Sequence, residues 1–496
     1  MELNLKMINP VRYIHLNQWL HLCAIQIVSK IDSLHKRIRL YKYLSLSLWF
    51  HATDIYSSSK IEQAFLELAV QHEESLPSEV YPNSTLHVLT SSYLTGGHTR
   101  CVERWMNLSE KNEIHACVLL HQDGPIPQRL YEECNKHNGR IYRFDDSLSL
   151  LDSALHLRKI ASEYTRVILY THPHDPTPLV AFGTNSFKRP VIYFNHANHV
   201  FWLGASISDI VAEINNDGLQ LCKKYRTAKC FNLGIPPEDD INLLAFKTPT
   251  EPIITIPSNN HVILASGDNN KFESLGEPSF QSVIESILSI DTNIIFIVIG
   301  IHLTSPNWKR IKRKFQERLI LLEPIAYQEY LQYLAIADIV IDSYPTGGGS
   351  AILDAIKCNK PILCLDPILQ SDFITHSACR CKDITELTEK CKKICFDADY
   401  KQEHIKNVFD AFKSVNSKEA WLIRKANLLS LLPKLHKVDI LEGEGFSQKC
   451  QPHTIRFIRW IEPQAGSITS FIRLTLNICS FLIRFLTASN SPERRD

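Results

Sequence analysis

The segment Ala337–Pro361, ADIVIDSYPTGGGSAILDAIKCNKP, contains the pattern that decides the fold. Its β-branched run Ile339–Ile341 predicts a buried parallel strand, which Pro345 and three glycines bring to an end. Ser350 then suits the cap of a helix whose apolar side chains lie on one face. The segment therefore predicts a strand, a glycine-rich turn and a helix, which is the repeating unit of α/β sheets.

The glycine-rich turn from Thr346 to Ala351 predicts an anion site. Backbone N–H groups at a helix N-terminus point outward, the helix dipole favours negative charge, and glycines let a ligand approach the main chain. Asp354 follows four residues after Ser350, where its carboxylate could accept hydrogen bonds from a sugar hydroxyl beside a bound phosphate. A plain structural turn is the alternative, but three glycines and a carboxylate exceed what a turn requires.

Two familiar glycine motifs do not fit this turn. A P-loop ends in Gly-Lys-Ser/Thr, and no lysine follows these glycines. The dinucleotide fingerprint needs a glycine three residues after Gly349, where the chain has Ile352. The sequence therefore supports neither a P-loop ATPase nor a nicotinamide-dependent enzyme.

Length and composition set broad limits. The chain has 496 residues, 44% of them hydrophobic, enough for about three units with large cores. A net charge of +1 implies no general attraction to nucleic acid. The 14 cysteines follow no regular spacing and several lie in apolar runs, which favours reduced, buried thiols and a cytosolic location. The N-terminus lacks a secretory-signal pattern, and no run of about 18 apolar residues predicts a spanning helix.

Short apolar runs alternate with helical patterns along most of the chain. Five such runs lie between residues 86 and 195 and five more between 261 and 366. This alternation predicts an α/β fold with two Rossmann-like, doubly wound parallel sheets, joined by the proline-containing segment Asp239–Asn260. The predicted divisions are a helical N-terminal extension (1–80), an N-terminal domain (81–240), a C-terminal domain (241–400) and a helical C-terminal region (401–496).

The segment from Asp342 to Asp354 resembles the donor site of GT-B glycosyltransferases, most closely the O-GlcNAc transferase type and its bacterial relatives. In those enzymes D-x-x-P ends the strand, as Asp342 and Pro345 do here, and a small-residue turn and a ribose-binding Asp follow. The resemblance covers about residues 85–400. It implies two Rossmann-like domains facing a cleft, with the acceptor in the first and a nucleotide-sugar donor in the second.

The resemblance also implies a donor-binding set. The turn would bind the diphosphate and Asp354 the ribose, while Glu323–Tyr330 matches a loop whose backbone contacts the base. Asn269 and Lys271 match the amide and the lysine that contact the pyrophosphate, where a lysine neutralises charge as the glycosidic bond breaks. A surface lysine is the alternative for Lys271. The turn residues in this set are Thr346, Gly347, Gly348, Gly349 and Ser350.

Three loops of the first domain carry candidate catalytic and acceptor-binding residues. His98 follows two glycines after the first strand, and an imidazole suits proton removal from an acceptor hydroxyl near neutral pH. Its alternative is a helix N-terminal neighbour with no chemical role. Asp175 and His196, in loops after the fourth and fifth strands, are secondary catalytic candidates. The expected acceptor or sugar contacts are Gly97, Arg100, His172 and His199, with Phe201 or Trp202 as either a sugar contact or a core residue.

No metal site and no cofactor are predicted. The histidines lack H-E-x-x-H spacing, and the cysteines at positions 379, 381, 391 and 395 lack a C-x-x-C knuckle. The resemblance likewise implies that no bound metal is needed. The nucleotide sugar would be a substrate.

Both ends of the chain are basic and amphipathic. Arg456, Arg459, Arg473 and Arg484 lie among aromatic and aliphatic residues, a composition typical of a helix in a membrane interface. The alternative is a terminal helix that packs back across the two domains. We therefore predict a cytoplasmic protein, with peripheral contact to the inner membrane face as one open alternative.

Together these features predict a glycosyltransferase that moves a sugar from a nucleotide-diphosphate sugar, a UDP-sugar, to a glycan or protein acceptor. Absence of a Glu pair at the donor turn favours inversion of the anomeric centre. A surface glycan as acceptor implies a place in polysaccharide biosynthesis. The alternatives are a sugar-nucleotide epimerase of the same fold, which needs no acceptor groove, and a non-catalytic scaffold.

Overall fold

The computed structural model describes residues 10–51, 53–76, 79–94, 97–226, 228–237, 256–257, 259–272, 278–345, 347, 350–366 and 379–449. The described residues form two compact units, one up to Pro236 and again from Leu422, the other from Pro237 to Trp421. Most of the predicted linker Asp239–Asn260 lies outside the described residues, as does the whole amphipathic C-terminal segment after residue 449. Within the described residues, no helix has the length and apolar character needed to cross a membrane.

The first unit is built on a parallel sheet with the strand order β4-β3-β2-β5-β6-β7-β8. Its strands are β1 (Ile55–Ser58), which lies outside this sheet, β2 (Tyr81–Leu89), β3 (Ile114–Leu119), β4 (Ile141–Arg143), β5 (Tyr164–Tyr170), β6 (Val191–Asn195), β7 (Ile210–Glu213) and β8 (Cys230–Asn232). Its helices are α1 (Pro10–Ser29), α2 (Leu34–Phe50), α3 (Ser59–Gln71), α4 (Gly97–Asn107), α5 (Gln128–Lys136), α6 (Leu150–Ser162), α7 (Thr177–Phe182) and α8 (Asn216–Leu221).

The second unit is built on another parallel sheet, with the order β11-β10-β9-β12-β13-β14. Its strands are β9 (His261–Ser266), β10 (Ile294–Ile299), β11 (Leu319–Leu322), β12 (Ile339–Ile341), β13 (Ile362–Leu365) and β14 (Arg380–Cys381). Its helices are α9 (Phe280–Leu288), α10 (Pro306–Phe315), α11 (Tyr327–Ile336), α12 (Ser350–Lys357), α13 (Ile384–Phe396) and α14 (Ala398–Asn416). The chain continues into α15 (Lys418–Ser430) and β15 (Glu444–Phe446), which pairs antiparallel with β1.

The prediction of two doubly wound parallel sheets is confirmed. All ten predicted strands are present, because runs such as Ile294–Ile299 are buried along their whole length, as strands covered on both faces must be. The edge strands β8 and β14, and β7 next to β8, were not predicted. They have two to four residues each, too few for a periodic pattern to stand out.

The N-terminal helices share a hydrophobic core with the first sheet. Leu44 of α2 and Phe65 of α3 lie in one buried cluster with Val167 of β5. A buried carboxylate adds a polar tie, since Glu62 of α3 accepts hydrogen bonds from the backbone N–H groups of Gly204 (2.7 Å), Ala205 (3.1 Å) and Ser206 (2.8 Å). The extension is therefore an integral part of the first unit.

Both sheets have a topological switch point, where the chain direction across the sheet reverses. In the first unit it lies between β2 and β5, and in the second between β9 and β12. Loops that leave the carboxyl ends of two such strands diverge to opposite faces and leave a crevice in which ligands of α/β proteins bind.

Candidate functional site

The switch point of the first unit brings together side chains from three loops. His98 follows β2, His172 follows β5 and His196 follows β6. The ring centroids of His98 and His196 are 4.5 Å apart, and those of His98 and His172 are 6.5 Å apart. The structure thus groups three of the predicted residues that are far apart in sequence.

His98 is held in one orientation by the main chain of β5. Its Nε2 lies 2.6 Å from the carbonyl oxygen of Tyr170, so Nε2 carries the proton and donates it. The other nitrogen, Nδ1, is buried and has no hydrogen-bond partner among the described residues. Burial lowers the pKa of His98 to about 4, so the imidazole is neutral at pH 7. A neutral imidazole with an unoccupied lone pair is the form that a general base requires.

His196 and His174 show the same kind of unoccupied nitrogen. The buried Nδ1 atom of each has no partner among the described residues. Burial lowers the pKa of His174 to about 4, and burial together with the nearby His98 lowers that of His196 well below its usual range. Buried polar atoms in native proteins are nearly always paired, so such a group of unpaired ring nitrogens indicates a place for a ligand or water.

Both carboxylate oxygens of Asp175 accept hydrogen bonds from nearby residues. Its Oδ2 accepts a hydrogen bond from the hydroxyl of Thr90 at 2.6 Å, and its Oδ1 accepts one from the backbone N–H of Thr177 at 2.9 Å. The Thr90 hydroxyl oxygen in turn accepts the backbone N–H of His172 at 2.9 Å. Asp175 therefore fixes the loop after β5 and the start of α7, and we assign it a positioning role.

The remaining predicted residues of the first unit lie around this group. Gly97 is exposed at the start of α4 and Arg100 is partly buried in the same helix. His199 is exposed, three residues after His196. Phe201 and Trp202 are almost fully buried, which makes them core residues instead of sugar contacts. Trp202 stacks on Tyr193 with ring centroids 4.1 Å apart.

Lys271 occupies the switch point of the second unit. It lies in a short 3₁₀ turn after β9, where its backbone N–H donates to the carbonyl of Asp268 at 2.9 Å. Burial lowers the pKa of its ammonium group, while Asp342, after the neighbouring strand β12, and Asp268 oppose that shift. Lys271 is therefore a partly buried cation between the two loops of the switch point.

Asn269 anchors this loop to the next one. Its side-chain oxygen accepts the backbone N–H of His302 at 2.8 Å, and only 7% of the residue is exposed. Gly300 lies in the same place with φ at +96°, and a Cβ atom there would collide with the carbonyl oxygen of Gly267. The loops after β9 and β10 are thus packed together, which holds the backbone that carries Lys271.

The glycine-rich turn is described only in part. Thr346, Gly348 and Gly349 lie outside the described residues, whereas Gly347 is buried. Helix α12 includes Ser350 as its first residue. Gly347 lies between β12 and α12, and the parallel pairing of β12 with β9 places this connection and the Lys271 loop at the same edge of the sheet.

Asp354 is buried and held by an aromatic residue of a neighbouring helix. Only 3% of Asp354 is exposed, and its Oδ2 accepts a hydrogen bond from the hydroxyl of Tyr327 at 3.1 Å. Tyr327 begins α11, within the segment predicted to contact a nucleotide base. The structure thus joins the predicted base-binding segment to the predicted ribose-binding carboxylate.

Trp49 and Tyr93 lie next to the candidate residues but were not identified from the sequence. Tyr93 carries a signal that could have been used, since it lies next to a segment already singled out. Trp49 lies in α2, and nothing local connects it to His174, on which its ring stacks at 4.8 Å. Among the described residues no group of three or more His, Cys, Asp or Glu side chains has an arrangement that could hold a metal ion.

No protein-family model matches the chain, and no curated protein matches it in sequence. Solved structures do match it. The structure of a glycosyltransferase from Rickettsia africae ESF-5 has a TM-score of 0.52 at 15% identity, covering 71% of this chain and 98% of that one. A Thermobaculum terrenum O-GlcNAc transferase mutant has a TM-score of 0.49 at 15% identity, covering 85% of this chain and 83% of that one.

The same comparison includes a UDP-GlcNAc 2-epimerase from Neisseria meningitidis, with a TM-score of 0.46 at 14% identity, covering 70% of this chain and all of that one. Of these three structures only the first exceeds a TM-score of 0.5. At such low identity a structural match establishes the fold and leaves the activity open. The chain therefore has the fold of GT-B glycosyltransferases, with one Rossmann-like domain around each of its two parallel sheets.

Proposed function

We propose that the protein is a glycosyltransferase that transfers a sugar from a nucleotide-diphosphate sugar, a UDP-sugar, to a glycan or protein acceptor. The observation that supports this most directly is the position of Lys271. Lys271 follows β9 at the switch point between β9 and β12, and Asp342, just after β12, acts electrostatically on its ammonium group. A cation and a helix N-terminus at one switch point suit a diphosphate group.

In the proposed donor site, the diphosphate lies on the turn from Thr346 to Ala351 and near Lys271. The ribose hydroxyls bind Asp354, whose orientation is fixed by Tyr327. UDP is the nucleotide that the sequence resemblance implies. A sugar nucleotide carries two negative charges on its diphosphate, and Lys271 with the helix N-terminus would counter them without a metal ion.

In the proposed reaction, the acceptor hydroxyl attacks the anomeric carbon of the donor sugar. Nδ1 of His98 takes the hydroxyl proton, a new C–O bond forms, and the bond between the anomeric carbon and the diphosphate oxygen breaks. Both electrons of that bond leave with the nucleoside diphosphate, whose developing charge Lys271 stabilises. His98 is suited to the base role because its Nε2 is bonded to the Tyr170 carbonyl and its Nδ1 lone pair is unoccupied. Direct attack of this kind inverts the anomeric centre.

Nucleotide binding is the first test. The thermal unfolding of the purified protein would be measured with UDP, CMP, GDP and NAD. A ligand at one hundred times its dissociation constant stabilises the folded state by about 2.7 kcal/mol. We expect UDP to raise the unfolding temperature most. Absence of a shift with every nucleotide would contradict the proposal and favour a non-catalytic scaffold.

Turnover is the second test. A panel of UDP-sugars with glycan and peptide acceptors would be screened by mass spectrometry for transferred sugar and released UDP. We expect acceptor-dependent transfer that His98→Ala and Lys271→Ala both reduce. Conversion of a UDP-sugar to its epimer without an acceptor would instead indicate a sugar-nucleotide epimerase. If both variants kept full transferase activity, the site assignment would be wrong even with the fold unchanged.

A further inference from the structure

Four rings from three parts of the first unit form an aromatic cluster next to His98. Trp49 comes from the last turn of α2, Tyr93 from the loop after β2, and His172 and His174 from the loop after β5. We call these four side chains the ring platform. The Tyr93 ring lies 6.1 Å from that of His98, which places the platform beside the candidate base.

Two rings of the platform extend one flat surface. The planes of Tyr93 and His172 differ by 15° with centroids 6.1 Å apart, and the Tyr93 hydroxyl lies 2.8 Å from Nε2 of His172. A hydroxyl that reaches a ring nitrogen in this way requires the two rings to lie edge to edge instead of face to face. The Trp49 plane is parallel to that of His172 within 14° and to that of His174 within 24°.

The platform is both rigid and accessible. Thr90 and Asp175 fix the His172 loop through the hydrogen bonds described above. Tyr93 is 45% exposed, and the side chains of Trp49 and His172 are partly exposed. A preformed surface loses little conformational entropy when a ligand binds.

The chemistry of the platform suits one class of ligand. The rings offer a flat apolar surface, while imidazole nitrogens and the Tyr93 hydroxyl at its edges offer hydrogen bonds. The buried Nδ1 atoms of His98, His174 and His196 add three ring nitrogens without a hydrogen-bond partner among the described residues. A pyranose ring combines the matching features, with C–H groups on one face and hydroxyl donors at its rim. An extended peptide has no such flat face.

We propose that the ring platform is the acceptor-binding surface and that the acceptor is a carbohydrate, not a protein side chain. The sugar lies on Tyr93 and His172 with one hydroxyl directed at Nδ1 of His98. The N-terminal extension takes part directly, because it supplies Trp49. The role of the bound sugar as an acceptor rests on the proposed glycosyltransferase function. The binding of a sugar to the platform does not depend on that function.

Binding would be tested without a donor, by saturation-transfer difference NMR on the full-length protein with methyl glycosides of glucose, galactose and N-acetylglucosamine. We expect saturation of the C–H protons on one sugar face with at least one glycoside. Tyr93→Ala and Trp49→Leu should weaken that binding about ten-fold, and Tyr93→Phe should weaken it less because the ring remains. Tyr131→Ala, which removes another exposed tyrosine of the same unit, serves as the matched control.

Three outcomes would overturn the inference. The first is the absence of any glycoside signal, and the second is a glycoside signal that Tyr93→Ala leaves unchanged. The third is a signal from uridine or a serine-containing peptide that the platform variants abolish, with no glycoside signal that they affect. Failure of the proposed function looks different. In that case UDP would not stabilise the protein and no sugar would be transferred, while the glycosides would still bind the platform.

Discussion

The Tyr327 hydroxyl donates a hydrogen bond of 3.1 Å to Oδ2 of Asp354, and so joins the first residue of α11 to the middle of α12. Tyr330, one turn later, donates to the carbonyl of Ala351 at 3.1 Å. Two hydrogen bonds therefore fix α12 against α11 beside the connection from β12. A carboxylate held in this way is preorganised for the ribose contact that we propose.

The Tyr327–Asp354 hydrogen bond gives the first prediction. Tyr327→Phe keeps the ring and removes the hydroxyl, so Asp354 loses one donor and its orientation becomes less fixed. A single hydrogen bond to a charged group contributes about 1.5–3 kcal/mol, so we expect UDP affinity to fall at least ten-fold. Isothermal titration calorimetry with UDP would measure the change. Tyr131→Phe, in the other unit, should leave UDP affinity unchanged.

Lys271 gives the second prediction. Lys271→Met removes the cation but keeps an unbranched apolar stem in the partly buried position. If the ammonium group stabilises the leaving diphosphate, the barrier should rise by about 2–4 kcal/mol, which corresponds to a loss of about 10²–10³-fold in kcat. Lys309→Met, an exposed lysine of the same unit, is the control. If Lys271→Met left kcat unchanged, Lys271 would not stabilise the leaving diphosphate.

The proposed absence of a metal requirement gives the third prediction. Lys271, a helix N-terminus and main-chain amides would supply the charge that a divalent cation supplies in other diphosphate sites. Transfer activity measured in EDTA should therefore equal that measured with Mg²⁺ or Mn²⁺. Activity that EDTA abolishes and one of these ions restores would contradict the proposed role of Lys271.

Glu62 gives a prediction about stability. Its carboxylate is 1% exposed and accepts three backbone N–H groups, and Glu62→Ala would leave those donors buried without a partner. Each unsatisfied buried donor costs about 1–3 kcal/mol, so the free energy of unfolding should fall by about 3 kcal/mol or more. Glu67→Ala is the control on the same helix. Glu67 pairs with Arg37 at 2.6 Å in a partly exposed position, where such a pair is worth about 1 kcal/mol or less.

The repeating α/β pattern could be predicted because each strand and helix is encoded by its own local sequence. Apolar runs such as Ile294–Ile299 and the glycine turn before Ser350 announce strands and helix starts without reference to the rest of the chain. The same holds for His98 and Lys271, each placed just after a predicted strand. Since the carboxyl ends of parallel strands lie at one edge of a sheet, local assignments were enough to place each residue at that edge of its own sheet.

The aromatic partners could not be predicted in this way. Trp49 stacks on His174 although the two are separated by the whole of α3 and most of the first sheet. That contact depends on how α2 packs on the core, which no local pattern encodes. The hydrogen bond from Thr90 to Asp175 could not be predicted for a related reason, because it forms only once the loops after β2 and β5 lie side by side.

The buried histidines of the first unit give a prediction about pH. Burial lowers the pKa of His98 and of His174 to about 4, below the value of about 6.5 expected in the unfolded chain. Between these two values the unfolded state binds more protons than the folded state. The free energy of unfolding should therefore fall as the pH is lowered from about 6.5 to about 4.

A variant isolates this effect. His174→Gln removes one of the titrating groups, so the loss of stability across that pH range should be smaller than in the unchanged protein. His35→Gln, an exposed position of the same unit, should keep the full loss. Urea denaturation at a series of pH values, followed by the fluorescence of the tryptophans, would measure both. An equal pH dependence in all three proteins would mean that His174 is not held in its neutral form by the fold.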